Sequence, residues 1–202
     1  MVKDWTGPWK SDENAPFPRS YGKWSELSRK DIYENPWIKV TESEVRNPNG
    51  GQGIYGVVHF KNLAIGIIPL DEQGNTWLVG QERFPFCGKY TWEIIEGGGP
   101  LDRDPLESAR MELSEEAGLA ANDWQLIQET DLSNSATTER SLIYLACDLH
   151  PRHSAADSTE LLTLRKVPFT EVYHMVLRGE IMDSLSVLGV LKLKVMQDEG
   201  LI

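Results

Sequence analysis

Three glutamates, Glu112, Glu115 and Glu116, stand three and four residues apart in a stretch patterned for a helix. That spacing places Glu112 beside both of the others on one helical face. Stacked like charges cost a helix a few tenths of a kcal/mol per pair. Glu115 and Glu116 also sit close to the predicted C-terminus, where the helix dipole disfavours anions. The sequence thus breaks two local rules at one place, as functional sites do. A hard divalent cation, which prefers carboxylate oxygens, would relieve both penalties. Alone, three glutamates would read as a solvated helix face. The residues around them argue for more.

Those residues define the element that must carry the carboxylates. Asp104 suits an N-cap and Pro105 the first helical position. Leu106, Ala109, Arg110, Leu113 and Ala117 recur at helical spacing as a mainly apolar face, and Gly118 suits the stop. The pattern predicts a helix over 105–117. Before it, Gly97-Gly98-Gly99-Pro100 reads as an irregular loop, entered from a short strand at Trp92–Ile95.

Further out, Leu63–Leu70 is a nearly continuous apolar run, expected to be a buried strand. The turn at Asp71–Gly74 returns the chain into a strand at Thr76–Gln81. Trp124–Asp131, Ser141–Leu149 and Leu161–Val167 read as further strands. A helix capped by Thr170 should run to Arg178, with Gly179 as its stop, and one capped by Asp183 should run to about Asp198. Towards the N-terminus, Met1–Pro36 reads as an irregular arm. Trp37–Arg46 and Ile54–Phe60 read as a hairpin about the turn at 47–51. Strands and helices intermix, which predicts an α/β or α+β sandwich with helical layers around a mixed sheet, plus a small N-terminal β unit. The expected division is 1–60 for the arm and hairpin and 61–202 for the main domain.

Composition removes several classes of function. The formal net charge of −11 repels phosphate backbones, which argues against nucleic-acid binding. An acidic protein that handles phosphorylated substrates needs a device against that repulsion, and divalent metals are the usual one. Cys87 and Cys147 form no CxxC or Cys/His cluster, so zinc is not expected, and both fit reduced cysteines of a cytoplasmic protein. No secretory leader and no apolar run of membrane-spanning length is expected.

The stretch Gly97–Leu119 resembles the Nudix box, G-x5-E-x7-R-E-U-x-E-E-x-G-U, where U is a bulky aliphatic residue. Gly97, Glu112, Leu113, Glu115, Glu116, Gly118 and Leu119 match without a gap. Arg103 replaces the box glutamate and Met111 the box arginine. W-E-I-I-E-G-G-G-P from Trp92, Q-E-R from Gln81, T-T-E-R from Thr137, the tail after Leu161 and N-P-W-I-K-V from Asn35 are all similar to the ADP-ribose pyrophosphatase branch of that family.

The resemblance implies a Nudix α/β/α sandwich and a metal-dependent hydrolase of a nucleoside diphosphate sugar, first of all ADP-ribose, giving AMP and ribose 5-phosphate. Other nucleoside diphosphate sugars, or a catalytically weak Nudix-fold nucleotide-binding module, are the alternatives. It implies magnesium or manganese on Glu112 and Glu116, with Glu115 as ligand, support or catalytic group. The backbone carbonyl of Glu96 is implied as a further ligand. A late acidic loop residue is the implied base, Glu160 ahead of Asp157. Arg83 and Glu139 are implied for substrate or metal contacts, and Trp37 for stacking on a base. The implied partner is a second copy, through the N-terminal β unit. Because Arg103 and Met111 depart together, Arg103 is expected to reach back towards Glu115 in place of the missing arginine.

Overall fold

The computed structural model describes residues 15–152 and 162–202. Its described chain forms two compact units. One takes in Ala64–Thr130 and Ser141–Ile202, the other the described chain up to Leu63 together with Asp131–Arg140. The fold is mixed α+β.

In the smaller unit, strands β1 (Arg19–Tyr21), β2 (Trp24–Glu34), β3 (Ile38–Arg46) and β4 (Gln52–Phe60) form an antiparallel sheet in sequential order. The expected hairpin is there as β3 and β4. The expected irregular arm is not, because β1 and β2 extend the sheet from its N-terminal side. The reason is a polar interior. Glu26, Thr41 and Ser43 are the buried residues of these strands, so no apolar alternation announces β2. Charged and hydroxyl groups hold its register instead. The Glu26 carboxylate accepts from Arg29 (2.7 and 3.1 Å), from the Ser43 hydroxyl (2.5 Å) and from Tyr21 (3.3 Å).

The larger unit has the apolar core. Strand β5 (Asn62–Pro69) runs parallel to β10 (Arg140–Pro151), Ser141 opposite Ala64 through Ala146 opposite Pro69. With β8 (Ile95–Pro100) and β9 (Leu119–Asp131) they give the strand order β8-β5-β10-β9. Ile65, Ile67, Ile68, Leu142 and Ile143 are fully buried, as expected of strands covered on both faces. Successive residues of β5 point to opposite sides. Ile65 lies against Gly99 together with Ser108 of helix α1 (Pro105–Ala117), whereas a side chain at Gly66 would meet Leu185 of helix α3 (Ser184–Asp198). Helices therefore cover both faces. A second sheet orders β11 (Thr163–Pro168), β6 (Asn75–Arg83) and β7 (Lys89–Glu93), all antiparallel. Helix α2 (Phe169–Leu177) follows β11.

Two further expectations are corrected. The cluster at Gly97–Gly99 is not an irregular loop but the body of β8. Its glycines answer to neighbours rather than to turn chemistry, since Gly99 is pressed by Ile65 and Ser108 and Gly97 by a side chain of α1. Thr170 is not the cap of α2, because the helix starts at Phe169 behind Pro168, whose ring cannot extend it backwards. The stop at Gly179 stands, with φ of 71°.

Candidate functional site

Helix α1 is fixed by local chemistry and then aimed by packing. The Asp104 side chain accepts the Leu106 N–H (3.0 Å), Pro105 opens the first turn, and Gly118 ends it at φ 63° with its N–H on the Ser114 carbonyl (3.0 Å). Ala109 and Leu113 are fully buried in the core. That orientation leaves Glu112 and Glu116 half-buried and turns Glu115 out to solvent.

The two half-buried carboxylates meet the start of β8. A Cβ built on Gly97 would fall on the carboxyl group of Glu112, so the absence of a side chain there is what admits Glu112. Glu116 takes the Glu96 N–H on its Oε2 at 3.2 Å. The site thus holds two carboxylates with the backbone of residues 96 and 97 beside them. The side-chain ligands offered are carboxylate oxygens, the chemistry a hard divalent cation takes. The side-chain cradle at Gly97 is a second mark of fit. Among the described residues no three His, Cys, Asp or Glu side chains are gathered as a ready metal cluster.

A second group of charges adjoins through residue 96. Arg83, at the end of β6, is an interstrand ion-pair partner. Its Nε lies 3.1 Å from both oxygens of Glu93 and its Nη2 also bonds that carboxylate. Its Nη1 has no partner among the described residues. Glu93 is 3 % exposed and also accepts from Thr91 (2.6 Å) and Gln81 (3.3 Å). The hydrogen bond to Glu93 is the main reason the Arg83 guanidinium is held above its ordinary pKa. Arg83 Nη2 is 4.0 Å from the Glu96 carboxyl.

Glu96 is treated differently from Glu93. Burial foremost, then the neighbouring Asp183 carboxyl, push its carboxyl well above the usual range. Its Oε1 accepts the hydroxyl of Ser186 (3.0 Å).

Arg103 is not where the missing box arginine would act. Its Nη1 lies 3.3 Å from the Met111 sulfur, and no ion pair joins it to Glu115. The exposed Met111 side chain intercepts the guanidinium one helical turn short of the carboxylate. Glu139 and Trp37 belong to the other unit. Glu139 is half-buried, its carbonyl accepting from Leu132 (2.8 Å). Trp37 is 65 % exposed, held ahead of β3 by the Asn35 side chain, which accepts the Trp37 and Ile38 N–H groups at 2.8 Å each. Asp157 and Glu160 lie outside the described residues.

Sequence reasoning missed Glu93, Asp183, Ser186 and the Glu96 side chain as parts of this network. A signal existed for Glu93 and Glu96, since two glutamates bracket Ile94-Ile95 inside a strand-like run. Buried charges in such a run require partners. None existed for Asp183 and Ser186, which only the fold brings near. An open groove lined by Leu70, Trp77, Leu119, Cys147, His150 and Lys166 contains none of these groups, so concavity alone does not mark the site.

Comparison with known proteins gives four findings. Residues 24–58 match the family model of the nucleoside diphosphate sugar hydrolase N-terminal domain. Residues 60–185 match that of the NUDIX domain. A protein of Mycobacterium tuberculosis (strain ATCC 25618 / H37Rv) named ADP-ribose pyrophosphatase is 33% identical over 174 residues, covering 82% of this chain and 80% of its own. A solved structure, described as the crystal structure of ADP compounds hydrolase, superposes with a TM-score of 0.79. It covers 91% of this chain and 100% of that one, at 19% identity, and shows likeness of fold.

Proposed function

This chain belongs to the Nudix family as a pyrophosphohydrolase, and on that premise we propose that it cleaves the diphosphate linkage of a nucleoside diphosphate sugar. ADP-ribose, yielding AMP and ribose 5-phosphate, is the first substrate to test. The observation that supports this reading most is the pair Glu112 and Glu116, set against a Gly97 that leaves room for the carboxyl group. The substrate class rests on the relative's name and on the N-terminal match.

Members of this family generally use divalent metal ions. We assign magnesium or manganese to Glu112, Glu116 and the Glu96 carbonyl, with Glu115 at the margin. Such an ion would supply positive charge against the diphosphate and make a water more acidic. The chain's own part is positioning. Gly97 and the Glu96 N–H fix where the two carboxylates stand. Arg83, with two of its nitrogens committed to Glu93, presents Nη1 to a phosphate oxygen. Glu139 is assigned to the substrate or metal shell, and Trp37 to stacking on the base, for which its exposure suits it. Glu160, or else Asp157, takes a proton from the attacking water as a bridging P–O bond breaks.

We further assign 1–60 to the N-terminal arm and β unit and 61–202 to the hydrolase domain. A homodimer through the N-terminal β unit and a cytoplasmic location complete the reading. Among the described residues no helix is long and apolar enough to cross a membrane.

The experiment is a panel of nucleoside diphosphate sugars, ADP-ribose among them, with magnesium or manganese, read as release of a nucleoside monophosphate. Turnover that needs metal and disappears in Glu116→Gln is expected. Tight binding without turnover would instead mark a binding module, the reading that the unpaired replacement of the box arginine by Met111 favours. A monomeric mass by light scattering at micromolar concentration would remove the dimer.

A further inference from the structure

Residue 96 is held from two directions. Its N–H bonds Glu116 Oε2 on α1 at 3.2 Å. Its carboxyl accepts the Ser186 hydroxyl on α3 at 3.0 Å. The same hydroxyl oxygen accepts the N–H of Ile94 at 2.9 Å. Ile94 lies at the break between β7 and β8, and this serine serves the N–H that a ladder would otherwise take. Ser186 is fully buried, and its own N–H is fixed by the α3 cap, the Asp183 side chain, at 2.8 Å. The first turn of α3 therefore grips the chain on both sides of Ile95, directly before the glycines that receive Glu112.

We infer that Ser186 is a positioning residue for the carboxylate pair, acting through residue 96 to set the backbone on which Glu116 rests. The inference rests on the metal-site reading of Glu112, Glu116 and the Glu96 carbonyl. A buried hydroxyl whose only duty was to satisfy Ile94 would not also need to hold the side chain of the residue whose backbone meets Glu116. Removing the hydroxyl frees the strand end to shift, and small displacements of ligands or of their supports weaken metal sites by about 10–100-fold.

The test is Mn2+ affinity, measured by the loss of the free-ion electron paramagnetic resonance signal on titration, with thermal unfolding alongside. Five variants are compared with the unsubstituted protein: Ser186→Ala, Glu96→Ala, their combination, Glu96→Gln and Glu116→Gln. Ser186→Ala and Glu96→Ala are each expected to weaken Mn2+ binding roughly 10-fold. The combination should be no worse than either, because both cut the same strap. Glu96→Gln keeps an acceptor for the Ser186 hydroxyl, and should stay within about twofold. Ser186→Ala that unfolds more easily yet binds Mn2+ as before overturns the inference. If Ser186→Ala does not fold, Glu96→Ala decides, since it cuts the same strap while keeping the bond from the Ile94 N–H to Ser186, and unchanged affinity there also overturns the inference. Glu116→Gln separates the two readings. Undiminished Mn2+ binding in that variant removes the metal-site reading itself, whereas its loss with unaltered Ser186→Ala removes only the strap.

Discussion

Two largely buried glutamates, Glu26 in one unit and Glu96 in the other, are treated in opposite ways, while Glu93 beside Glu96 is clipped by Arg83 much as Glu26 is by Arg29. Glu26, in the small sheet, is 3 % exposed and ringed by donors: Arg29 by two bonds, Ser43, Tyr21, and Arg19 at 3.8 Å. Burial is the largest single influence on its pKa and opposes ionisation. The bonds from Arg29, Ser43 and Tyr21 together outweigh it and hold the carboxyl below its ordinary value. Glu96, in the larger unit, is driven the other way, its pKa raised first by burial and then by the neighbouring Asp183 carboxyl. A buried carboxylate ringed by cations and hydroxyls is a structural clip. One placed against a second carboxyl, next to two half-buried glutamates, gathers acidity where folding alone gives no reason for it.

The largest effect expected from this contrast is at Gly97, where space rather than charge is at stake. Gly97→Ala would place a methyl group on the Glu112 carboxyl and force that side chain aside. Displacements of about 1 Å at a reacting centre cost roughly 100-fold in rate, and turnover should fall by at least that much. A Gly97→Ala protein with more than half the original rate would mean that Glu112 does not work from where it now stands.

Stability should sort the two buried glutamates in the reverse order of their importance to chemistry. Glu26→Ala leaves Arg29 without its partner in a largely buried setting, and breaking such a pair costs about 3 kcal/mol. Glu96→Gln keeps the shape of the side chain and an acceptor for the Ser186 hydroxyl, and should cost under about 1 kcal/mol. Denaturant unfolding of the two variants, each against the unsubstituted chain, measures both. Equal losses would break the comparison, because they would mean that the Glu96 carboxyl is as dependent on charge as Glu26.

The same contrast has a pH signature. The folded-state pKa of Glu26 lies below its ordinary value of 4.5. Its stabilisation is therefore complete above that value and is lost as pH falls through the lowered one. Glu26→Gln should flatten the loss of stability between about pH 5 and pH 3, read as unfolding midpoints across that range. An unaltered slope would place the acid-sensitive group elsewhere. Asp71 is the natural second suspect. Burial opposes its ionisation, yet the bonds from Lys166 and Asn75 pull its carboxyl down to about 2.

How much of this was legible in the sequence depends on the range of the forces involved. Helix α1 was readable to the residue because Asp104, Pro105 and Gly118 act within one turn of their own positions. The apolar run of β5 was readable because burial on both faces leaves little choice of residue type. Strand β2 was not, since its buried position is a glutamate satisfied by groups from neighbouring strands. The glycines of β8 read as a loop because the reason for them, a carboxyl arriving from α1, lies fifteen residues downstream. The hold of Ser186 on residues 94 and 96 spans about ninety residues and leaves no local trace.

The smallest expected effect concerns the cation that α1 lacks. Met111→Arg would restore the usual residue of the Nudix box, four residues before the exposed Glu115, where an arginine can pair with it. Exposed pairs at that spacing contribute about 0.3–0.5 kcal/mol, so unfolding should move only slightly. Glu112 and Glu116 are positioned by the space at Gly97 and by the Glu96 N–H, neither of which the substitution touches, so turnover should change by less than about threefold. A gain of tenfold or more would show that the carboxylates of α1 need a cation as Glu26 does. The distinction between clip and site would then lie in the cations around each glutamate rather than in the space and backbone that receive it.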